Sequence, residues 1–302
     1  MPFFSIIIPT FNRAEFLKGT IKSVLQQDFQ DFELLVIDDG STDHTAEVVR
    51  CLQSLDGKIK YYLKKNEERG AARNYGISIA SGDYLVFLDS DDDLKGNHLK
   101  KLRSIILSKP NINFFAAKFN FFENGNYLDA PISRLKEGIY DYRLLLKGNP
   151  FACNICTKRE NKSLVPFLVD RNYSGMEDWI FLFANLWSQD LYLYDDVTIT
   201  MNEHPNRSMR FNKIIIDKRC RATEYLINKF NITPSERNEL IGYSNYFCAI
   251  HAYLDQDKKK SLSYLIQATR KLKTKKEVMM MFLKVLFGRE IVGKIKDIIS
   301  HK

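Results

Sequence analysis

Short apolar runs, three of four stopping at a turn or an acid and separated by stretches of helical period, constrain this chain more than any other feature. The runs are "FFSIIIP" (3–9), "DFELLVIDD" (31–39), "KIKYYL" (58–63) and "DYLVFLD" (83–89), rich in β-branched and aromatic residues. Between them, "AEFLKGTIKSVLQQ" repeats Phe16, Leu17, Ile21, Val24 and Leu25 at helical spacing, "TAEVVRCLQSL" repeats Val48, Val49, Leu52 and Leu55, and "GAARNYGISIA" supplies a third helix. Ser41 or Thr42 is the expected cap of the second of these. Strands that alternate with helices and read as continuous apolar runs imply a mostly parallel α/β sheet covered on both faces. Ligands of such sheets bind at the carboxyl ends of the strands, here Pro9-Thr10, Asp38-Asp39 and Asp89 to Asp93.

The last of these ends poses a problem in electrostatics. "YLVFLDSDDDL" (84–94) runs an apolar strand into four carboxylates with only Ser90 between the first two. On an extended strand Asp89 and Asp91 share a face about 6.6 Å apart. Their repulsion at an effective dielectric near 20 is about 2.5 kcal/mol, so a cation or ligand is expected to offset it. An EF-hand loop starting at Asp89 fails, because its sixth and twelfth places are Leu94 and Lys100. A dinucleotide fold fails as well, because "PTFNRAE" follows the first strand in place of a Gly-rich turn. Asp93 as a helix cap accounts for one carboxylate and leaves the rest. A hard divalent cation, magnesium or manganese, held by one or two carboxylates with water and phosphate oxygens, accounts for them.

A chain of 302 residues with 45% hydrophobic content has room for one large core, or for a core and an appended subdomain. Five cysteines, an odd number spread widely, argue for a reducing compartment, and the lone Cys153-x-x-Cys156 lacks the second pair that a structural zinc site wants. "MPFFSIIIPTFNR" reads as a strand and not a signal peptide, and no run approaches the roughly 20 apolar residues of a membrane span. The expectation is a soluble or peripheral protein. The net charge of +8 is unevenly placed: residues 258–302 hold thirteen Lys and Arg against three acids, or +10, which leaves −2 for the rest.

Beyond residue 100 the reading is a helix in "LKKLRSIILSKP", strands in "NINFFAAKFNFF" and "NICTK", and a helix in "SGMEDWIFLFANLWSQ". The aromatics of the first strand are read as core. From about 212 the chain reads as helix throughout, ending in a short helix, with a boundary expected between 205 and 212.

The ordered set "FFSIIIPTFNRAEFLKGTIKSVLQQDFQDFELLVIDDGSTDHT", "ERGAARNYGISIASGDYLVFLDSDDD" and "GMEDW" resembles a family 2 glycosyltransferase of the GT-A, Rossmann-like fold, densely over 3–95, thinly over 96–205 and not beyond about 212. The resemblance implies a catalytic domain over 1–208, with a nucleotide-binding half (1–95) and an acceptor half (96–208), followed by a helical region over 209–302. It implies that Pro9, Thr10, Asn12 and Arg13 line the nucleotide pocket, that Asp39 pairs with the base, often uracil, and that Asp38 braces the turn. Arg73 would lie near the diphosphate or the base. Asp89 would face ribose or sugar and Asp91 the metal, while Asp92 and Asp93 are secondary ligands or caps of the next helix. Glu177 and Asp178 match the family's acidic pair, with Asp178 the base that takes a proton from the acceptor hydroxyl. In "NEHPNRS" (202–208), His204 would contact metal or diphosphate and Arg207 would neutralise phosphate charge; Met201-Asn202 stands where the family commonly has Tyr-Arg.

The expected activity is an inverting, metal-dependent transfer of one hexose or hexosamine from a nucleotide diphosphate sugar, a UDP-sugar, to a glycan or lipid-linked acceptor in surface polysaccharide assembly. The expected location is cytoplasmic, with no nucleic acid partner. The rival readings are a non-catalytic sugar-nucleotide scaffold and a nucleotidyltransferase, whose Gly-rich basic first loop is missing. For the tail, Val278, Met281, Val285, Val292, Ile295 and Ile299 form a helical stripe with lysines opposite. That stripe reads either as an interfacial helix at the inner face of a membrane or as a subdomain packed on the core or on a second subunit.

Overall fold

The computed structural model describes residues 1–205, 207 and 212–288. Contacts divide the chain into two compact units, one of residues 1–145 and 149–207, the other of 146–148 and 208–302.

The first unit is α/β. It begins with β1 (Phe4–Thr10), α1 (Ala14–Leu25), β2 (Phe32–Asp38), α2 (Thr45–Gln53), β3 (Ile59–Leu63), α3 (Glu68–Ile79) and β4 (Tyr84–Phe87). It continues with β5 (Asp92–Leu94), α4 (His98–Ser108), β6 (Phe114–Glu123), β7 (Asn126–Asp129), β8 (Gly138–Tyr140), β9 (Ile155–Lys158), α5 (Glu177–Leu186) and β10 (Leu191–Asn202). Strand order is β3-β2-β1-β4-β9-β6-β10-β5, with β7 beside β6 and β8 beside β10. All seven residues of β1 and all seven of β2 are buried, as a parallel pair covered on both faces requires. Pro9 is tolerated in a central strand because β4 pairs β1 only as far as Ile7, so no ladder bond needs its missing N–H on that side. α1 presents Leu17, Ile21 and Val24 to the sheet, and α3 presents Gly76, where a Cβ would stand 2.5 Å from Ile7 Cγ2. Absence of a side chain at Gly76 thus sets how closely α3 approaches β1.

β3, β2, β1 and β4 pair in parallel, whereas β9 runs antiparallel to both β4 and β6, and β10 is parallel to β6 but antiparallel to β5. The carboxyl ends of β1, β2, β4 and β6 therefore share one edge. β10 is absent from the sequence reading because Asp195 and Asp196 interrupt its apolar pattern. Both acids sit at a register shift and pair with Lys118 and Lys101. Ser41 and Thr42 do not cap α2: His44 holds that position, and Asp43 Oδ1 accepts from the Thr45 N–H at 3.0 Å.

The second unit contains α6 (Asn212–Lys229), α7 (Pro234–Leu254), α8 (Lys258–Leu272) and α9 (Lys276–Phe287). α7 opens with a capping box between Thr233 and Glu236. Val278, Met281 and Val285 are buried in a cluster with Leu265, Ala268 and Leu272. These three residues pack as core, as a helical subdomain would have them; Val292, Ile295, Ile299 and the expected final helix lie outside the described residues.

Candidate active site

β4 ends at Phe87, two residues before the acids, so Asp89 and Asp91 are not spaced along a strand. The chain turns there, with the Asp92 N–H donating to Asp89 O at 3.2 Å and Thr20 Oγ1 donating to Ser90 O at 3.0 Å. The turn draws one carboxylate oxygen from each of Asp89, Asp91 and Asp92 within 4.8 Å of one another. That is tighter than the strand geometry implies, and the three carboxylates have three different environments.

Asp89 accepts from Arg73 Nη2 at 2.7 Å. Burial works to raise its pKa, but the charges of Arg73 and Arg69 overcome this and hold it below the usual carboxylate value. Asp91 Oδ2 lies 2.9 Å from His204 Nε2, and the His204 ring stacks on Phe16 with centroids 4.2 Å apart. Asp92, on β5, is fully buried; burial first, then Asp91 and Asp89, push its pKa well above the usual value. Asp92 Oδ1 has no hydrogen-bond partner and Arg207 Nη1 is 4.0 Å away, while Asn154 donates to Oδ2 at 3.4 Å. Neither Asp92 nor Asp93 caps the next helix, as the sequence reading allowed: α4 starts at His98 behind Asn97, and Asp93 instead accepts from Asn202 Nδ2 at 2.9 Å.

Arg73 joins this cluster to the acidic pair. Its side chain is 1% exposed, with Nη2 on Asp89 and Nη1 3.1 Å from Glu177 Oε1, and its guanidinium lies over the Phe167 ring. Arg69 Nε is 3.5 Å from the same Glu177 oxygen. Both Glu177 and Asp178 occupy the first turn of α5, where the helix dipole favours negative charge, and Trp179 anchors that helix by donating to Leu145 O at 2.9 Å. Asp178 accepts from its neighbour's N–H, Trp179 N, at 2.8 Å and from Asn149 Nδ2 at 2.9 Å. Burial, with the adjacent Glu177 charge second, raises Asp178 to about 6.

At the ends of β1 and β2 the polar groups organise a loop. Asp38 accepts from the Ser41 N–H at 2.7 Å and the Tyr61 hydroxyl at 2.6 Å, which is a bracing role. Asp39 binds Lys64 Nζ at 2.8 Å and the Glu67 N–H at 3.0 Å. Asn12 adopts φ 52°, and its side-chain oxygen accepts from the Thr42 and Asp43 N–H groups. The Arg13 N–H meets Thr45 Oγ1 at 3.3 Å. Thr10 is buried with its hydroxyl unpartnered.

Arg73, Asp89, Asp91, Glu177, Asp178, His204 and Arg207 thus fall in one neighbourhood of charges, and Pro9, Thr10, Asn12, Arg13 and Asp39 on adjoining strand ends. Arg73 is enclosed between two carboxylates, Asp89 and Glu177, at the edge where the strand ends meet. Arg207 Nη1 donates to Asn202 O at 3.1 Å and is 3.2 Å from Glu203 Oε1. Sequence reasoning missed Asn149, Asn154 and Phe16, whose site partners Asp178, Asp92 and His204 lie far from them in sequence, and it noted Asn202 only as a departure from the motif and not as the partner of Asp93. Cys153 and Cys156 are buried free thiols.

All-oxygen donors at this spacing suit a hard divalent cation, and the unpartnered, fully buried Asp92 Oδ1 is a donor atom that a cation would satisfy.

The family model described as "Glycosyl transferase family 2" matches residues 5–162, just over half of the chain. A GalNAc(5)-diNAcBac-PP-undecaprenol beta-1,3-glucosyltransferase of Campylobacter jejuni is 46% identical over 34% of this chain and 34% of its own. An uncharacterized glycosyltransferase of Haemophilus influenzae is 35% identical over 55% of this chain and 66% of its own. The chain therefore spans about a third of the length of one relative and just under two thirds of the other. The crystal structure of S. aureus TarS 1-349 in complex with UDP-GlcNAc superposes with a TM-score of 0.60 at 15% identity, covering 89% of this chain and 91% of that one, a likeness of fold. With motif order, strand-end geometry and family match in agreement, the chain belongs to glycosyl transferase family 2.

Proposed function

We propose that this protein is an inverting glycosyltransferase that moves one hexose or hexosamine from a nucleotide diphosphate sugar, a UDP-sugar, to a glycan or lipid-linked saccharide in surface polysaccharide assembly. The observation that carries the proposal is the single network Asp178/Glu177–Arg73–Asp89/Asp91, which joins a carboxyl raised to about 6 to an oxygen cluster fit for a divalent cation. A C. jejuni relative that uses a PP-undecaprenol acceptor, a putative teichuronic acid biosynthesis enzyme of Bacillus subtilis (28% identical over 60% of this chain) and a fold neighbour solved with UDP-GlcNAc support the substrate classes.

Asp178, ionised above about 6 and oriented by Asn149, takes the proton of the acceptor hydroxyl as that oxygen attacks the anomeric carbon. Arg73 bridges Glu177 to Asp89 and so ties the start of α5, which carries the base, to the Asp89 turn. Thr10, with an unpartnered hydroxyl, Pro9, Asn12, Arg13 and Asp39 shape the nucleotide pocket, and Asp89 faces ribose or sugar. Asp91, with His204 behind it and Asp92 beside it, would hold manganese or magnesium, which when bound supplies Lewis-acid stabilisation of the departing diphosphate. Arg207 balances the negative charge of this corner. The domain reading that fits is 1–208 catalytic, with the nucleotide bound by 1–95 and the acceptor by 96–208, and 209–302 accessory. A cytoplasmic site of action, with membrane contact or self-association through the basic helices, completes it.

The test is a thermal-shift screen of nucleotide sugars with and without manganese, followed by nucleoside diphosphate release. A donor should stabilise the protein in a manganese-dependent way, and Asp91→Ala should abolish both effects. No stabilisation by any donor, together with an inert Asp91→Ala, would sink the proposal.

A further inference from the structure

The second unit contains a surface that no step of sugar transfer uses. Between residues 258 and 276 stand eight Lys or Arg and no Asp or Glu, and the next acid, Glu277, accepts from the Tyr243 hydroxyl at 2.8 Å. α8 buries Ser261, Leu265, Ala268 and Leu272. Its opposite ridge is Lys259, Ser263, Ile266 and Arg270, spaced i, i+4, i+7 and i+11, all exposed. α9 buries Val278, Met281 and Val285 and turns Met279, Leu286 and Phe287 outward. Ile266, Met279, Leu286 and Phe287 are each 45–56% exposed. Large apolar side chains exposed on the same two helices that carry this run of positive charge match one occupant best.

We propose that the α8–α9 surface docks onto an anionic phospholipid bilayer. Lysines and arginines gain from the negative surface potential of such a leaflet, while the outward apolar residues enter the boundary between headgroups and acyl chains. A soluble polyanion would use the charges and leave Ile266, Met279, Leu286 and Phe287 in water. A second copy of the chain would set this positive surface against its equal. Among the described residues no helix is long and apolar enough to cross a membrane, so the contact is peripheral. The inference deepens the membrane contact named in the proposed function but does not depend on the transfer chemistry, because flotation needs no sugar and donor stabilisation needs no lipid.

The experiment is flotation of the full chain with phosphatidylcholine vesicles, with and without phosphatidylglycerol, at low and high salt. Recovery should require phosphatidylglycerol and fall as salt rises. The triple variant Lys259→Glu, Arg270→Glu, Lys273→Glu should bind about tenfold or more weakly. The pair Ile266→Ser and Leu286→Ser should bind several-fold more weakly at unchanged charge. Equal recovery with both vesicles, or none with either, overturns the proposal, as does an unaffected serine pair combined with equally tight binding to dextran sulfate. Self-association by sedimentation, lost in the charge variant, without vesicle binding also overturns it. Should charge reversal impair folding, the salt series on the unaltered chain and the exposed serine pair still decide the matter.

Discussion

On one flank of the sheet, β3, β2, β1 and β4 pair in parallel through short helical crossovers, and each strand brings its own polar residues to the shared edge. On the other flank, β9, β6, β10 and β5 pair in mixed directions, and the groups they and their loops deliver meet partners far away in the chain. Arg73 reaches Glu177 across 104 positions and His204 reaches Asp91 across 113. A flank assembled from local units should tolerate loss of one polar group better, because backbone N–H groups of Ser41, Thr42, Asp43 and Glu67 brace its loops. A flank assembled at long range rests on a few charges with little solvent around them, so each substitution there should have a large effect.

The sharpest way to probe that dependence is Asp178→Asn. Turnover should fall about 10²- to 10⁴-fold, with donor-induced stabilisation kept; loss of donor binding instead would place Asp178 on the nucleotide side of the comparison. Arg73→Met leaves buried Glu177 and part-buried Asp89 without their shared cation, which should cost about 3 kcal/mol, the low end for a buried pair because Asp89 keeps some solvent and Arg69 stays beside Glu177. For a unit of this size that lowers Tm by roughly 10 °C. A melting point unchanged by Arg73→Met would mean that Arg69 alone carries the pair.

Gly76→Ala tests the local flank by packing alone. Its new methyl meets Ile7 at 2.5 Å, and overpacking there should cost about 1–3 kcal/mol with the site's polar network intact. Denaturant unfolding should register it, with donor binding per folded molecule preserved. The smallest effect expected is on pH dependence. Turnover should decline about tenfold per unit as pH falls below the Asp178 value of about 6. In stability the sign is opposite to that of a paired carboxylate: the native state holds the extra proton between the ordinary aspartate value and about 6, so ionising Asp178 costs stability as pH rises through that window. Asp178→Asn should accordingly raise Tm at neutral pH, and a pH–rate profile flat down to the ordinary carboxylate range would remove Asp178 from the role of base.

The strands of the first flank were legible because a parallel strand buried on both faces must be a continuous apolar run, and Phe4 to Thr10 and Phe32 to Asp38 are such runs. β10 was not, since Asp195 and Asp196 break its pattern and their pairing with Lys118 of β6 and Lys101 of α4 exists only once the chain is folded. Asp93 shows the same limit at the site. As a sequence it is an acid shortly before a helix, and only the pairing of β5 with β10 brings Asn202 to it.

Order of elements, the acid-terminated strands and the identity of Asp39, Asp89, Asp91 and Asp178 as the groups to watch belong to the sequence, because periodicity and motif spacing are local quantities. Tertiary structure decided what each carboxylate is electrically. Asp89, Asp91 and Asp92 have one chemistry and adjacent positions, yet one is held down by Arg73, one rests on His204, and one is driven up by full burial. Those differences arise from desolvation and from charges brought in by distant segments, which no local pattern encodes.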